Sequence, residues 1–247
     1  MNGHDKTVAA ADRERDDLVL ETPDPPAGTC WADVEDFRAR ELLKANGVAL
    51  TQDALAAALT SPIGVLQAAA ARTLGSLGDR AAIAALRPLA QAPDDLSQVE
   101  AAYALVRLGQ DDYRGILVAR LEDPVRACLG PMVAAGGLAR LGDPTGYPVI
   151  ARCFDEDNLV VRLVASKQLL FFVRFHGTRT VDGQAIDAWG MFEHALRDPH
   201  PDVQWSALVQ LRELPTPEAR RLLDAYGAHA GDAPMAGVAG QMPGPMS

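Results

Sequence analysis

Four glycines, Gly47, Gly78, Gly109 and Gly142, follow one another at intervals of 31, 31 and 33 residues, and each has the same neighbours. Four residues before each stands a leucine (Leu43, Leu74, Leu105, Leu138), and eight residues after each stands another aliphatic (Leu55, Leu86, Leu117, Ile150). Three also have Leu immediately before the glycine (Leu77, Leu108, Leu141), where the first has Asn46. Three aligned columns over four copies mark an internal repeat. A repeat of this length restricts the chain to architectures in which like units stack on one another.

The columns have a physical reading. Glycine takes the left-handed conformation without a Cβ penalty, so a helix is expected to end at each of the four. Asp79, Asp111 and Asp143 follow closely and suit the start of the next helix. Leucines four and one before the glycine share a face of the first helix, and the aliphatic eight after it falls on the inner face of the second. Each unit is then an antiparallel helix pair too small to bury its own apolar side. Neighbouring pairs must stack to complete the core.

A further copy is recognisable near the C-terminus, where Leu211, Leu214 and Leu223 keep the columns and Pro215 stands in the glycine's place. Between it and Gly142 another copy is expected, with a first helix over 159–175 and a second over 185–198. The linker "HGTRTVDGQA" that joins them is far longer than the other turns. Acids joined to Pro or Asn, as in "EDP" at 122–124 and "DPHP" at 198–201, mark the breaks between units. Gly130-Pro131 falls inside one expected first helix and predicts its kinking or shortening.

The stretches "TLGSLGD" (73–79), "DPVR" (123–126) and "LARLGD" (138–143) resemble HEAT-like repeats, in particular the short form of the phycobiliprotein-lyase type. The resemblance covers residues 37–228 and implies an all-α fold, a right-handed α-solenoid of five to six stacked antiparallel helix pairs. Proteins of this broad class serve as scaffolds, inhibitors and chaperones, and a few are enzymes. A solenoid of this kind is expected to be a non-enzymatic protein-interaction scaffold or adaptor, binding a protein partner through its concave second helices and the 176–185 loop. The resemblance leaves as alternatives a bilin lyase-like or isomerase-like subunit, and an immunity protein or chaperone for a secreted effector.

The ends differ from the middle. Residues 1–28 read as a disordered acidic arm, 29–228 as the repeat domain, and 229–247, rich in Gly, Pro and Met, as a disordered tail. Of the net charge of −10, residues 1–36 carry −7, from ten acids against three bases, so the repeats are close to neutral. Such a balance opposes binding to a phosphate backbone. Aromatics are 5% of a composition that is 48% hydrophobic, so the core is expected to be Ala, Leu and Val. The three cysteines have no disulfide or zinc spacing, and no leader or membrane-length apolar run occurs. The sequence predicts a cytoplasmic location, with no membrane partner, no nucleic acid, no metal and no cofactor.

Signatures of catalysis are missing from the sequence. No histidine precedes a glutamate, and neither G-x-S-x-G nor a phosphate-binding glycine loop occurs. Catalytic and metal-ligating residues are therefore expected to be none. Arg87, Arg120 and Arg152 lie in second helices, nine, eleven and ten residues after their glycines, so they do not form one continuous ladder. Long loops in compact repeats carry function more often than tight turns do. The residues expected to meet a protein partner are thus Arg120 and Arg152, with Arg174, His176, Arg179 and Trp189 around the 176–185 loop. Trp189 is read as an exposed anchor and Trp205 as core.

Overall fold

The computed structural model describes residues 18–23, 25, 26, 29, 31–92, 95–123, 130–175, 179–181 and 184–229. Among them the first helices are α1 (Trp31–Ala45), α3 (Gly64–Leu77), α5 (Asp95–Arg107) and α7 (Gly130–Arg140). They alternate with the second helices α2 (Gln52–Ala58), α4 (Ile83–Gln91), α6 (Arg114–Arg120) and α8 (Tyr147–Cys153). Then come α9 (Leu159–Ser166), α10 (Leu169–Phe175), strands β1 (Arg179–Val181) and β2 (Gln184–Ile186), α11 (Ala188–Leu196), α12 (Pro201–Arg212) and α13 (Pro217–His229). Among the described residues the fold is all-α, six helix pairs with one short hairpin. It forms two compact units, Asp33–Glu122 belonging to the first and Asp123 onward to the second.

The turn glycines and two of the three side-chain columns are as expected, whereas the leucine immediately before the glycine does not keep to the interior: Leu108 is buried, Leu141 half-buried and Leu77 53% exposed. Gly47, Gly78, Gly109 and Gly142 have φ of 75°, 72°, 86° and 76°, the left-handed region in which a side chain is strained. The orphan carbonyls at the helix ends are used as that turn requires. Val48, Gln110 and Asp143 N–H groups each donate at 2.9 Å to the carbonyls of Leu43, Leu105 and Leu138. Every leucine four before a glycine, and every aliphatic eight after one, is at most 1% exposed. Asp79 and Asp143 cap the following 3-10 turns, accepting from Ala81 N at 2.9 Å and Thr145 N at 3.0 Å. Asp111 does not cap. It sits one residue inside its turn, and its Oδ1 holds Arg114 instead.

In the first unit α2 packs on α3, α3 lies along α5, and α4 and α6 pack on α5. Small residues let α3 and α5 come close: a Cβ added at Gly75 would lie 2.7 Å from Ala104 Cβ. The segment before α1 is tied to this unit. Asn46 accepts from Val19 N at 3.0 Å and donates to Val19 O at 2.8 Å, and Leu18 packs against the apolar cluster. Of the arm expected to be disordered, residues 1–17 lie outside the described residues, as do 230–247 of the tail.

In the second unit α7 packs on α8, and α9 and α10 pack on α12. The helix described there runs from Gly130 to Arg140, and the kinking or shortening expected at Gly130-Pro131 bears on residues 124–129, which lie outside the described residues. Two expectations for the fifth pair are corrected. Its first helix is not continuous but breaks between Ser166 and Leu169, although no Gly or Pro stands there. The buried Gln210 of α12 stabilises the break: its Nε2 donates to Ser166 O at 2.7 Å and its Oε1 accepts from Leu170 N at 2.9 Å. The long linker is the antiparallel hairpin β1–β2, with Thr180 opposite Ala185. The second helix of that pair accordingly starts at Ala188, capped by Asp187.

Candidate functional site

The predicted contact residues divide between the two units. Arg120 ends α6 in the first, half-buried, where its Nε donates to Gln98 Oε1 of α5 at 3.0 Å. That bond ties a second helix to the first helix of its own pair, so Arg120 holds the repeat together. The rest belong to the second unit. Arg152 is exposed in the last turn of α8, and Arg174 is exposed in the last turn of α10. Arg179 opens β1, paired with Ile186, and His176 lies outside the described residues. Trp189 begins α11 half-buried, its ring centroid 6.1 Å from that of Phe192. Because β2 packs against α8 and α10 packs against α11, the structure brings Arg152, Arg174, Trp189 and the hairpin onto neighbouring elements.

Beside them is an open cleft of about 650 Å³, lined by the Phe154–Asp157 turn after α8, by Gly190 and His194 of α11 with Arg197 just past its end, and by Arg162, Asp198 and Pro199. Arg162 builds it. Its Nε donates to the buried Asp198 carboxylate at 2.7 Å, and its Nη1 donates to the carbonyls of Glu156 and Asp157 at 2.9 Å each. With its donors used this way, Arg162 fixes the turn and leaves His194 and Arg197 to face the opening. The exposed His194 ring lies against Phe154, centroids 5.5 Å apart, and Arg197 reaches Glu193 at 3.4 Å. Mixed charge around an open mouth suits the surface of a polypeptide, since small-molecule pockets are enclosed and mostly apolar. Among the described residues, no group of three His, Cys, Asp or Glu side chains is placed to hold a metal ion.

Cys153, at the end of α8, is fully buried. Burial pushes its thiol up to about 12, with Glu156 adding to the effect and Arg152 opposing it. A thiol so raised carries almost no thiolate near neutrality and is a packing group.

Two sets of residues escaped the sequence reading. Gln67, Arg162 and Gln204 each donate to the carbonyl six residues earlier, at 2.7, 2.9 and 2.7 Å, pinning the start of a first helix to the preceding turn. Gln67, Gln98 and Gln204 all stand eleven residues before the turn residue, a fourth column that could have been read. The other set is a charged cluster inside the first unit. Arg72 of α3 meets Glu100 of α5 at 2.6 Å and Asp36 of α1 at 3.4 Å, and Arg107 meets Asp36 at 2.9 Å. Both guanidiniums lie within 6 Å of the Tyr103 ring, at 5.4 and 5.6 Å. Burial is the largest influence and opposes the Arg72 charge, but Glu100, Tyr103 and Glu35 together outweigh it and hold the guanidinium above its ordinary pKa. No spacing rule announces this cluster, because its members come from three helices at unrelated offsets.

The structure also reverses the two tryptophans. Trp205, expected in the core, is 43% exposed, whereas Trp189 is half-buried. In α12 the buried positions are Val203, Ser206, Ala207, Leu208, Gln210 and Leu211, which leaves Trp205 on the opposite side.

No curated protein matches the chain. No helix among the described residues is long and apolar enough to cross a membrane. The stretch from α2 to just beyond α6, residues 52–128, matches the family of HEAT repeats, and the chain carries HEAT-like repeats there.

Proposed function

We propose that the chain is a non-catalytic scaffold or adaptor that binds a protein partner through the second unit. The observation that supports this most is the grouping of Arg152, Arg174, Trp189 and the β1–β2 hairpin beside an open, charged cleft. HEAT repeats commonly present such preformed surfaces, which need little reordering on binding and so lose little entropy. Arginine and tryptophan are the side chains that most often carry the affinity of an interface. Arg179 and His176 belong to the same proposed surface by their place in the chain. Arg120 acts in the other unit by holding α6 to α5. The 31-residue interval between successive turns supports the short repeat form of the phycobiliprotein-lyase type. That likeness concerns the repeat and brings no lyase chemistry with it.

The test is capture of partners on the immobilised full chain, followed by titration of the recovered protein against wild type, Trp189→Ala and Arg152→Ala. A protein partner is expected whose affinity falls at least tenfold with each substitution, while the helical circular dichroism is unchanged. Undiminished binding by both variants would move the interface elsewhere. Turnover of a small molecule by the purified chain would overturn the non-catalytic reading.

A further inference from the structure

One residue in the column before the turn glycines is polar, and its bonds show what it holds. Asn46 stands where the other units have Leu77, Leu108 and Leu141. Its Oδ1 accepts from Val19 N at 3.0 Å, and its Nδ2 donates to Val19 O at 2.8 Å. A further bond from Nδ2 to Leu42 O, also 2.8 Å, fixes the amide at the end of α1. Both backbone groups of one residue are held as a neighbouring strand would hold them, so the grip reads extended backbone and no particular side chain. Leu77 at the same place in the next unit is 53% exposed, so the fold itself does not require an amide there.

The segment held by Asn46 fits poorly over what lies beneath it. Leu18 packs against the apolar cluster, but Leu20 is 64% exposed. A cleft of about 260 Å³ lies between Leu20 and Thr22 on one side and α1, α3 and α5 on the other. Leu42, Val65, Ala68 and Ala69 give it apolar walls, and Arg72 and Glu100 also line it. Glu100 is 6% exposed; its Oε1 holds Arg72 at 2.6 Å, while its Oε2 is shielded from solvent and has no hydrogen-bond donor. A buried carboxylate oxygen in this state is costly until a donor reaches it, and a charged donor serves best. Leu20 and Thr22 stand two apart and so share one side of an extended strand. Thr22 is the more buried of the two, and it leaves Glu100 Oε2 unmet.

A lysine in the place of Thr22 has the missing parts: an apolar stem to lie along the cleft walls, and a compact ammonium with three donors for Glu100. We propose that this groove of the first unit docks an extended polypeptide segment carrying a lysine, its backbone on Asn46 and its ammonium on Glu100, in exchange for residues 18–22. Those residues are the resident occupant. Being tethered, they compete at an effective concentration on the order of millimolar, so only a better-fitting segment displaces them. The groove is separate from the surface proposed in the second unit, so either reading can fail alone.

The test uses a fluorescein-labelled peptide, Asp-Leu-Val-Leu-Glu-Lys-Pro, which copies residues 17–23 with lysine in the place of Thr22. It is titrated by fluorescence anisotropy against the full chain and against Val19→Pro, which has no N–H to give Asn46 and so loosens the resident segment. Val19→Pro is expected to bind the peptide at least tenfold more tightly than wild type does. Replacing the peptide's lysine with methionine is expected to weaken binding to Val19→Pro at least tenfold, and so is adding Glu100→Gln to that variant. The methionine peptide reads the same contact on unaltered protein should Glu100→Gln disturb the fold. Adding Asn46→Leu, which restores the residue of the column, is expected to abolish binding with the helical circular dichroism unchanged. Equal affinities of wild type and Val19→Pro overturn the proposal, because the peptide is then not in the groove. Equal affinities of the lysine and methionine peptides also overturn it, as does binding undiminished by Asn46→Leu or no binding at millimolar peptide.

Discussion

Replacing Arg72 with Met tests whether the charged cluster is a buried tie between helices. Methionine keeps the apolar stem and most of the volume of arginine but removes the charge. Arg72 is 7% exposed and Glu100 6%, and Glu100 Oε2 has no hydrogen-bond partner even in the wild type. After the substitution Glu100 loses its 2.6 Å contact with Arg72, while Asp36 keeps Arg107 at 2.9 Å. Stranding a buried charge in this way costs about 3–5 kcal/mol. An exposed ion pair of the same geometry is worth at most about 1 kcal/mol. Urea unfolding followed by circular dichroism at 222 nm measures the difference, and with m of about 1–3 kcal/mol/M the midpoint falls by roughly 2 M. Adding Glu100→Gln removes the stranded charge and is expected to recover more than half of the loss. On the wild-type background Glu100→Gln is destabilising, so its effect changes sign between the two backgrounds. A loss below about 1 kcal/mol for Arg72→Met, or equal effects of Glu100→Gln on both backgrounds, would refute the reasoning.

Other substitutions probe separate parts of the fold. Gly75→Ala brings a Cβ within 2.8 Å of the Ala104 Cα, which only a backbone shift relieves, so a loss of about 1–3 kcal/mol is expected despite alanine's better helix propensity. A gain in melting temperature would show that α3 and α5 are not so close. Gln210→Leu leaves Ser166 O and Leu170 N without their buried partner and is expected to cost about 1–3 kcal/mol by urea titration. An unchanged midpoint would remove Gln210 from its role at the break between α9 and α10. For Cys153, with Cys30 and Cys128 replaced by Ser, the native thiol is expected to react with a disulfide reagent at pH 8 only after urea is added. Since its folded pKa of about 12 exceeds the ordinary 9.0, its contribution to stability is full below pH 9 and is lost as pH rises towards 12. Cys153→Ala should flatten that decline.

The turn glycines and their leucines were legible because each column records one local event repeated in the chain: a left-handed helix end, or a side chain entering the shared interior. Glycine at φ 72–86° and leucine at zero exposure are the same facts seen in coordinates. What escaped depended on partners distant in sequence. The break at Lys167-Gln168 has no local cause, since its support comes from Gln210 more than forty residues on. Trp205 stands ten residues before its turn, as the buried Ala68 and Met132 do, yet it is exposed, and no residue of α12 records the difference. The hairpin was different, because "VDGQ" carries an Asp-Gly signal between short β-forming runs that was available to read. The grouping of the candidate site's residues was not legible in the sequence. Arg152 and Trp189 come together only because a hairpin packs against α8 and α10 packs against α11.

The repeat columns themselves can be tested with two identical substitutions in one unit. Leu117 stands eight residues after Gly109 and is 0% exposed, whereas Leu77, one before Gly78, is 53% exposed. Urea titration of Leu117→Ala is expected to show a loss of about 2–5 kcal/mol, and of Leu77→Ala less than about 0.5 kcal/mol. Equal losses, or a larger one at Leu77, would mean that the periodic leucines do not define the interior shared by successive helix pairs.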